Sequence, residues 1–180
     1  MRTSTQIADD VATLPAAGGP APAPLTRVLL IEDNAEEMLL VKYALQEFGL
    51  GQYELEWTRG LAEGVKLLRS GGLDVVLLDL GLPECQGPVS CAAVRDWASC
   101  VPIVVLTADD RKETEELVMT YGADDYLVKD KVSGLEIMHA MRAALYRKKA
   151  RASNLALSPF LSSAKSPNHL PWNRTSDTRN

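Results

Sequence analysis

Short aliphatic runs alternate along the chain with stretches of helical periodicity. RVLLI (Arg27 to Ile31), LDVVLLD (Leu73 to Asp79) and VPIVVLT (Val101 to Thr107) are nearly continuous apolar segments stopped by polar residues. That is the pattern of strands covered on both faces. YELEW (Tyr53 to Trp57) alternates apolar with acidic residues and predicts a strand with one face nearer solvent, and ADDYLVK (Ala123 to Lys129) predicts a short last strand. Between the strands, NAEEMLLVKYALQEFG puts Met38, Val41, Ala44, Leu45 and Phe48 on one helical face and stops at Gly49. LAEGVKLLRSGG predicts a helix closed by Gly71 and Gly72. PVSCAAVRDWAS predicts another, and DDRKETEELVMTYG a fourth with its acidic residues toward the favourable end of the dipole. VSGLEIMHAMRAALYRKKAR predicts a closing helix with Leu135, Met138, Met141 and Leu145 on one stripe.

Strand followed by helix, five times over, predicts a single (βα)5 doubly wound α/β domain. Right-handed crossovers make the five-stranded sheet parallel and place helices on both faces. The chain of 180 residues is long enough for one such core. Composition divides it into three parts. Residues 1–26 read as a disordered N-terminal tail rich in Ala, Pro and Gly, residues 27–150 as the folded domain, and residues 151–180 as a disordered basic C-terminal tail punctuated by Ser, Pro and Asn. Charge follows the same division. Arg27 to Tyr146 hold 11 basic and 21 acidic side chains, a net of −10; Arg147 to Asn180 hold 7 and 1, a net of +6.

The basic run YRKKAR has no DNA-binding module after it, so it reads as a solvated helix end and nucleic acid is not an expected partner. No window is apolar and long enough to cross a membrane, and the N-terminus lacks the pattern of a secretory signal. Cys85, Cys91 and Cys100 form no zinc-like spacing, and an odd count without an export signal fits a cytoplasmic protein with ordinary thiols.

One feature of the aliphatic strands needs a chemical reason. LDVVLLD ends on a carboxylate, Asp79, which is costly to bury unless it is paired or bound. In an open parallel sheet, ligands gather beyond the carboxyl ends of the strands. Those ends here offer Glu32 and Asp33, Asp79, Thr107 with Ala108, and Lys129. Three clustered carboxylates repel unless a cation joins them, and all-oxygen donors suit Mg²⁺ or Mn²⁺. A carboxylate beside such a cation can attack phosphorus to form an acyl phosphate. Lys129 and the Thr107 hydroxyl are then placed to hold phosphoryl oxygens.

LLIEDN (Leu29 to Asn34), LLDLGLPECQG (Leu77 to Gly87), VVLTA (Val104 to Ala108) and GADDYLVKD (Gly122 to Asp130) together resemble the four motifs of the receiver (CheY-like) domain of two-component response regulators. The resemblance spans Arg27 to about Lys148 and implies strand order 2-1-3-4-5. It implies Asp79 as phosphoacceptor, Mg²⁺ held by Asp33, Asp79, the Gly81 backbone carbonyl and, mainly through metal-bound water, Glu32. It implies Lys129 as the phosphate-contacting lysine, with Thr107 and Tyr126 as the switch pair.

Implied partners are a histidine kinase or phosphotransfer protein and a downstream protein bound at the face of the fourth helix, fifth strand and fifth helix. The chain reads as a stand-alone receiver and not as an enzyme; kinase, signal, target and phosphorylation-dependent homodimerisation stay open. A phosphatase of the haloacid-dehalogenase type needs a second Asp two residues on, where Gly81 stands. A nucleotide- or flavin-binding domain needs glycines in the first turn, where EDNAEE is acidic. A scaffold with a vestigial site remains as a further alternative. Three positions depart from the common pattern: Asp130 where many members carry Pro, Gly81 without a side chain, and acidic Asp109.

Overall fold

The computed structural model describes residues 24–162. The elements, in chain order, are β1 (Thr26–Ile31), α1 (Ala35–Phe48), β2 (Tyr53–Thr58), α2 (Leu61–Ser70), β3 (Val75–Asp79), α3 (Val89–Trp97), β4 (Ile103–Thr107), α4 (Lys112–Thr120), β5 (Asp125–Val128) and α5 (Gly134–Ser162). All strand pairs are parallel and the order is β2-β1-β3-β4-β5. The (βα)5 expectation is met.

Strand parity explains the continuous aliphatic runs. Leu29, Ile31, Val76, Leu78, Ile103 and Val105 face one core, packed by residues of α2, α3 and α4 such as Leu68, Val94 and Val118. Val28, Leu30, Val75, Leu77, Val104 and Leu106 face the other, packed by α1 through Val41 and Leu45 and by α5 through Met138 and Met141. Each strand residue therefore leaves water whichever way it points, at about 25 cal/mol per Å² of apolar surface removed. β2 lies at one edge of the sheet, which leaves room for its acids to reach solvent. Glu56 and Glu54 there meet Arg27 of β1.

The register carries the strand ends to one rim. Ile31 pairs with Leu78, Asp79 with Leu106, and Thr107 with Val128. Glu32, Asp79, Thr107 and Lys129 thus leave the sheet together. Lys129 is not the last residue of β5 as expected; it opens a 3-10 turn, Lys129–Lys131. The Lys129–Asp130 peptide bond is trans. α5 begins against α1, where a Cβ on Gly134 would stand 2.8 Å from the Ala44 Cβ. The missing side chain lets the two helices meet closely and fixes α1 relative to the Lys129 turn.

Two expectations for α5 need correction. Met138 and Met141 are fully buried, but Leu135 is exposed and Ile137, Ala140 and Ala144 complete the buried stripe. The helix also continues to Ser162, beyond the point where Ser and Pro punctuation predicted an irregular tail. A helix already nucleated on a packed core adds one hydrogen bond for each further residue that has an N–H, so weak formers such as Ser153 and Asn154 are carried along. Of the expected tails at residues 1–26 and 151–180, residues 1–23 and 163–180, including His169, lie outside the described residues. His139 is exposed on α5, and no helix among the described residues is long and apolar enough to cross a membrane.

The start of α5 is capped reciprocally. The Glu136 N–H donates to Ser133 Oγ at 3.4 Å, and Ser133 N–H donates to Glu136 Oε2 at 2.7 Å. Ser133→Ala is expected to cost about 1 kcal/mol, read as a lower urea midpoint. The Ser133 N–H and, after it, the Ser133 hydroxyl at 2.9 Å hold the Glu136 carboxyl below its usual value. The hydroxyl's share, which alanine removes, is present above the unfolded carboxyl range and fades as pH falls through the depressed folded value, so the penalty shrinks in acid. A midpoint unchanged by the substitution would show that the cap adds nothing.

Candidate functional site

The rim of the sheet opens into a cleft of about 640 Å³ lined by Glu32, Asp33, Asp79, Gly81, Thr107 and Lys129 among others. Every side chain singled out at the strand ends is brought to it. Asp79 and Thr107 are each 4 % exposed and Glu32 is 2 % exposed, whereas Asp33 stands in solvent. One carboxylate oxygen from each of Glu32, Asp33 and Asp79 lies within 4.8 Å of the other two.

Local structure aims each group. Asn34 caps α1, accepting from the Glu36 N–H at 2.9 Å, and its own N–H donates to Glu32 Oε1 at 3.0 Å. The Trp57 indole N–H donates to the Glu32 backbone carbonyl at 2.7 Å, tying the acidic turn to β2. Asp79 Oδ2 accepts the Gly81 N–H at 2.8 Å, which sets the plane of the carboxylate. A Cβ on Gly81 would stand 2.9 Å from that same oxygen, so glycine keeps this flank of Asp79 open. Lys129 Nζ lies 2.9 Å from Asp79 Oδ1 and 2.7 Å from Glu32 Oε2, and also contacts Glu37.

Burial acts against charge at both ends of this cluster, with opposite outcomes. Burial pushes Glu32 up to about 7, outweighing the hydrogen bonds from Lys129 and the Asn34 N–H. Burial also works against the Lys129 ammonium, but hydrogen bonds to Glu32, Glu37 and Asp79 outweigh it and hold the lysine firmly charged. One ammonium against four carboxylates leaves the cleft negative, and its donors are all oxygens. Glu32, Asp33 and Asp79 would suit a hard divalent cation.

The two remaining groups converge on a single residue. Thr107 Oγ1 accepts the Asp109 N–H at 3.2 Å, and the Tyr126 hydroxyl donates to the Asp109 carbonyl. The Asp109 carboxylate accepts from Arg111 and from the Thr114 hydroxyl at 2.7 Å, and Arg111 holds it well below the usual carboxylate range. Tyr126 itself packs half-buried against the α2–α3–α4 core. The three cysteines are free; burial raises the Cys91 thiol to about 11 and leaves it inert. Sequence reasoning did not find Glu37. It reads as one more acid in the first turn of α1, and nothing local marks its contact with a lysine far along the chain.

The model of the response regulator receiver domain matches residues 28–142. The swarming motility regulation protein RssB of Serratia marcescens is 37% identical over 102 residues, covering 57% of this chain and 45% of the relative. A CheY-like receiver domain protein from Methanospirillum hungatei JF-1 superposes with a TM-score of 0.63 at 20% identity, covering 71% of this chain and 98% of the other. The receiver domain of a sensor histidine kinase from Pseudomonas aeruginosa PAO1, solved with a magnesium ion in its active-site cleft, gives a TM-score of 0.58 at 24% identity, covering 67% and 98%. The chain spans about half the length of the curated relatives it matches. With four motifs converging on one cleft of a β2-β1-β3-β4-β5 sheet, the chain belongs to the response regulator receiver domain family of two-component systems.

Proposed function

We propose that this receiver accepts a phosphoryl group from a phosphohistidine onto Asp79, in a Mg²⁺-dependent reaction, and signals through a protein-binding face. The observation that carries the reading is the contact of Lys129 with Asp79 at 2.9 Å inside a cleft that also gathers Glu32 and Asp33. In the transfer, a carboxylate oxygen of Asp79 bonds to phosphorus as the P–N bond of the donor breaks. The imidazole leaves with that electron pair and takes up a proton. The Gly81 N–H orients the carboxylate, Lys129 neutralises a phosphoryl oxygen, and the Thr107 hydroxyl donates to another. Bound Mg²⁺ supplies further charge neutralisation on the phosphoryl oxygens. The magnesium ion in the related Pseudomonas receiver supports this assignment.

The domain acts in this reading as a stoichiometric acceptor in the cytoplasm, not as a turnover enzyme, and its donor is a histidine kinase or phosphotransfer protein. Incubation with acetyl phosphate, with and without Mg²⁺, tests it by intact mass. A Mg²⁺-dependent phosphoryl adduct is expected. A folded, Mg²⁺-binding chain that takes no phosphoryl group from acetyl phosphate or from a phosphorylated histidine donor would overturn it.

Asp109 supplies the link to the surface. Thr107 holds its N–H and Tyr126 its carbonyl, so a Thr107 hydroxyl drawn to the phosphoryl group releases one end of a residue that Tyr126 grips at the other. The β4–α4 loop and the α4–β5–α5 face, where Leu117, Met119 and Tyr146 are exposed, then shift population. Tyr126→Phe removes one hydrogen bond, on the order of 1 kcal/mol of that coupling. It is expected to phosphorylate as fully as wild type but to show a smaller phosphorylation-dependent change in amide exchange across α4. An undiminished change would remove Tyr126 from the switch.

A further inference from the structure

The Lys129 ammonium has three protons to donate. Three carboxylates take them: Glu32 at 2.7 Å, Asp79 at 2.9 Å, and Glu37 from the first turn of α1. The third has no part in the acceptor set above. We propose that Glu37 is an internal stand-in for the phosphoryl group. In the unphosphorylated chain it occupies the donor of Lys129 that a phosphoryl oxygen on Asp79 later takes, and so sets how readily the site accepts one. The inference rests on the reading of Asp79 as phosphoacceptor.

A phosphoryl oxygen on Asp79 competes for the same three N–H bonds, and the carboxylate cheapest to release gives way first. Glu32 is the wrong one to release, since its side chain is 3 % exposed and would stay buried without its cation. Asp79, at 6 %, is the residue being modified. Glu37 is 36 % exposed and lies where the cleft meets a groove along α1. Its carboxylate swings into water at little cost, while the Gly134–Ala44 contact keeps the helix backbone in place. A site whose lysine is occupied part of the time binds its ligand more weakly by the fraction left free. Glu37 is therefore a positioning residue that acts through Lys129.

The probe is beryllium fluoride, a non-covalent surrogate for a phosphoryl group on a carboxylate, titrated by ¹⁹F NMR into the full chain at saturating Mg²⁺. Glu37→Gln removes the charge. Glu37→Asp keeps the charge but is one methylene too short to span to Lys129. Both are expected to bind the probe roughly threefold to fivefold tighter than wild type, the range of a partly exposed ion pair. Tightening in Glu37→Gln alone would mean that Glu37 acts through its field and not its contact, which overturns the proposal. Equal binding by all three chains also overturns it while leaving Asp79 as phosphoacceptor. If wild type binds no more probe than Asp79→Asn, the phosphoacceptor reading fails first and takes this inference with it.

Discussion

Asp79→Asn will fold, retain a weakened affinity for Mg²⁺, and take up no phosphoryl group from acetyl phosphate. The amide is almost the same shape as the carboxylate, so the Gly81 N–H at 2.8 Å keeps an oxygen acceptor and the cleft keeps its form. Glu32 and Asp33 still offer two carboxylates to a cation. The amide oxygen, however, carries no charge with which to attack phosphorus. The expected loss is complete within the sensitivity of intact mass. A second measurement fixes the chemistry: an acyl phosphate on Asp79 is removed by hydroxylamine, whereas a phosphoester on the Thr107 hydroxyl is not. A hydroxylamine-stable adduct that persists in Asp79→Asn would place the acceptor elsewhere and undo the reading of the cleft.

The fold was legible because its core strands are buried on both faces and its helices on one. Residues 75–79 and 103–107 are aliphatic at nearly every position, and the two parity sets Val76/Leu78 and Val75/Leu77 pack against different helices. The site was legible for a related reason. A carboxylate ending an aliphatic strand has few explanations, and the two such ends, of β1 and β3, converge with the ends of β4 and β5 in a parallel sheet. What the sequence concealed is what long-range contacts decide. Glu37 resembles any first-turn helix acid until α5 docks on α1. Lys129 reads as a strand residue until the chain turns at Val128. The continuation of α5 to Ser162 depends on a helix already nucleated against Met138 and Met141, which local punctuation does not register.

The contact that local sequence concealed most fully predicts the largest effect on stability. Arg95, near the end of α3, donates to the carbonyls of Ala98 at 2.6 Å, Val101 at 2.9 Å and Gly122 at 3.0 Å, and to Asp124 Oδ2 at 3.0 Å. The Asp124 side chain is 8 % exposed, and the same oxygen accepts the Ile103 N–H at 3.0 Å. One guanidinium therefore joins the end of α3, the start of β4 and the α4–β5 turn. Arg95→Met fills much of the volume but leaves a buried carboxylate and three carbonyls short of their donor. Arg151 reaches the other Asp124 oxygen at 3.3 Å, but it is exposed and compensates little. Breaking such a pair from one side costs about 3 kcal/mol. Against a total stability of about 5–15 kcal/mol that is a large fraction, and it appears as a lower urea midpoint with an unchanged slope. This cluster lies at the amino ends of β4 and β5, whereas Asp79 is the carboxyl-terminal residue of β3 and Lys129 follows β5. The folded fraction of Arg95→Met should therefore phosphorylate like wild type, while Asp79→Asn should be about as stable as wild type and not phosphorylate at all. A loss of phosphoryl uptake in Arg95→Met that refolding conditions do not restore would mean that the two ends of the sheet are coupled. A loss of stability below about 1 kcal/mol would mean that water replaces the guanidinium at those carbonyls.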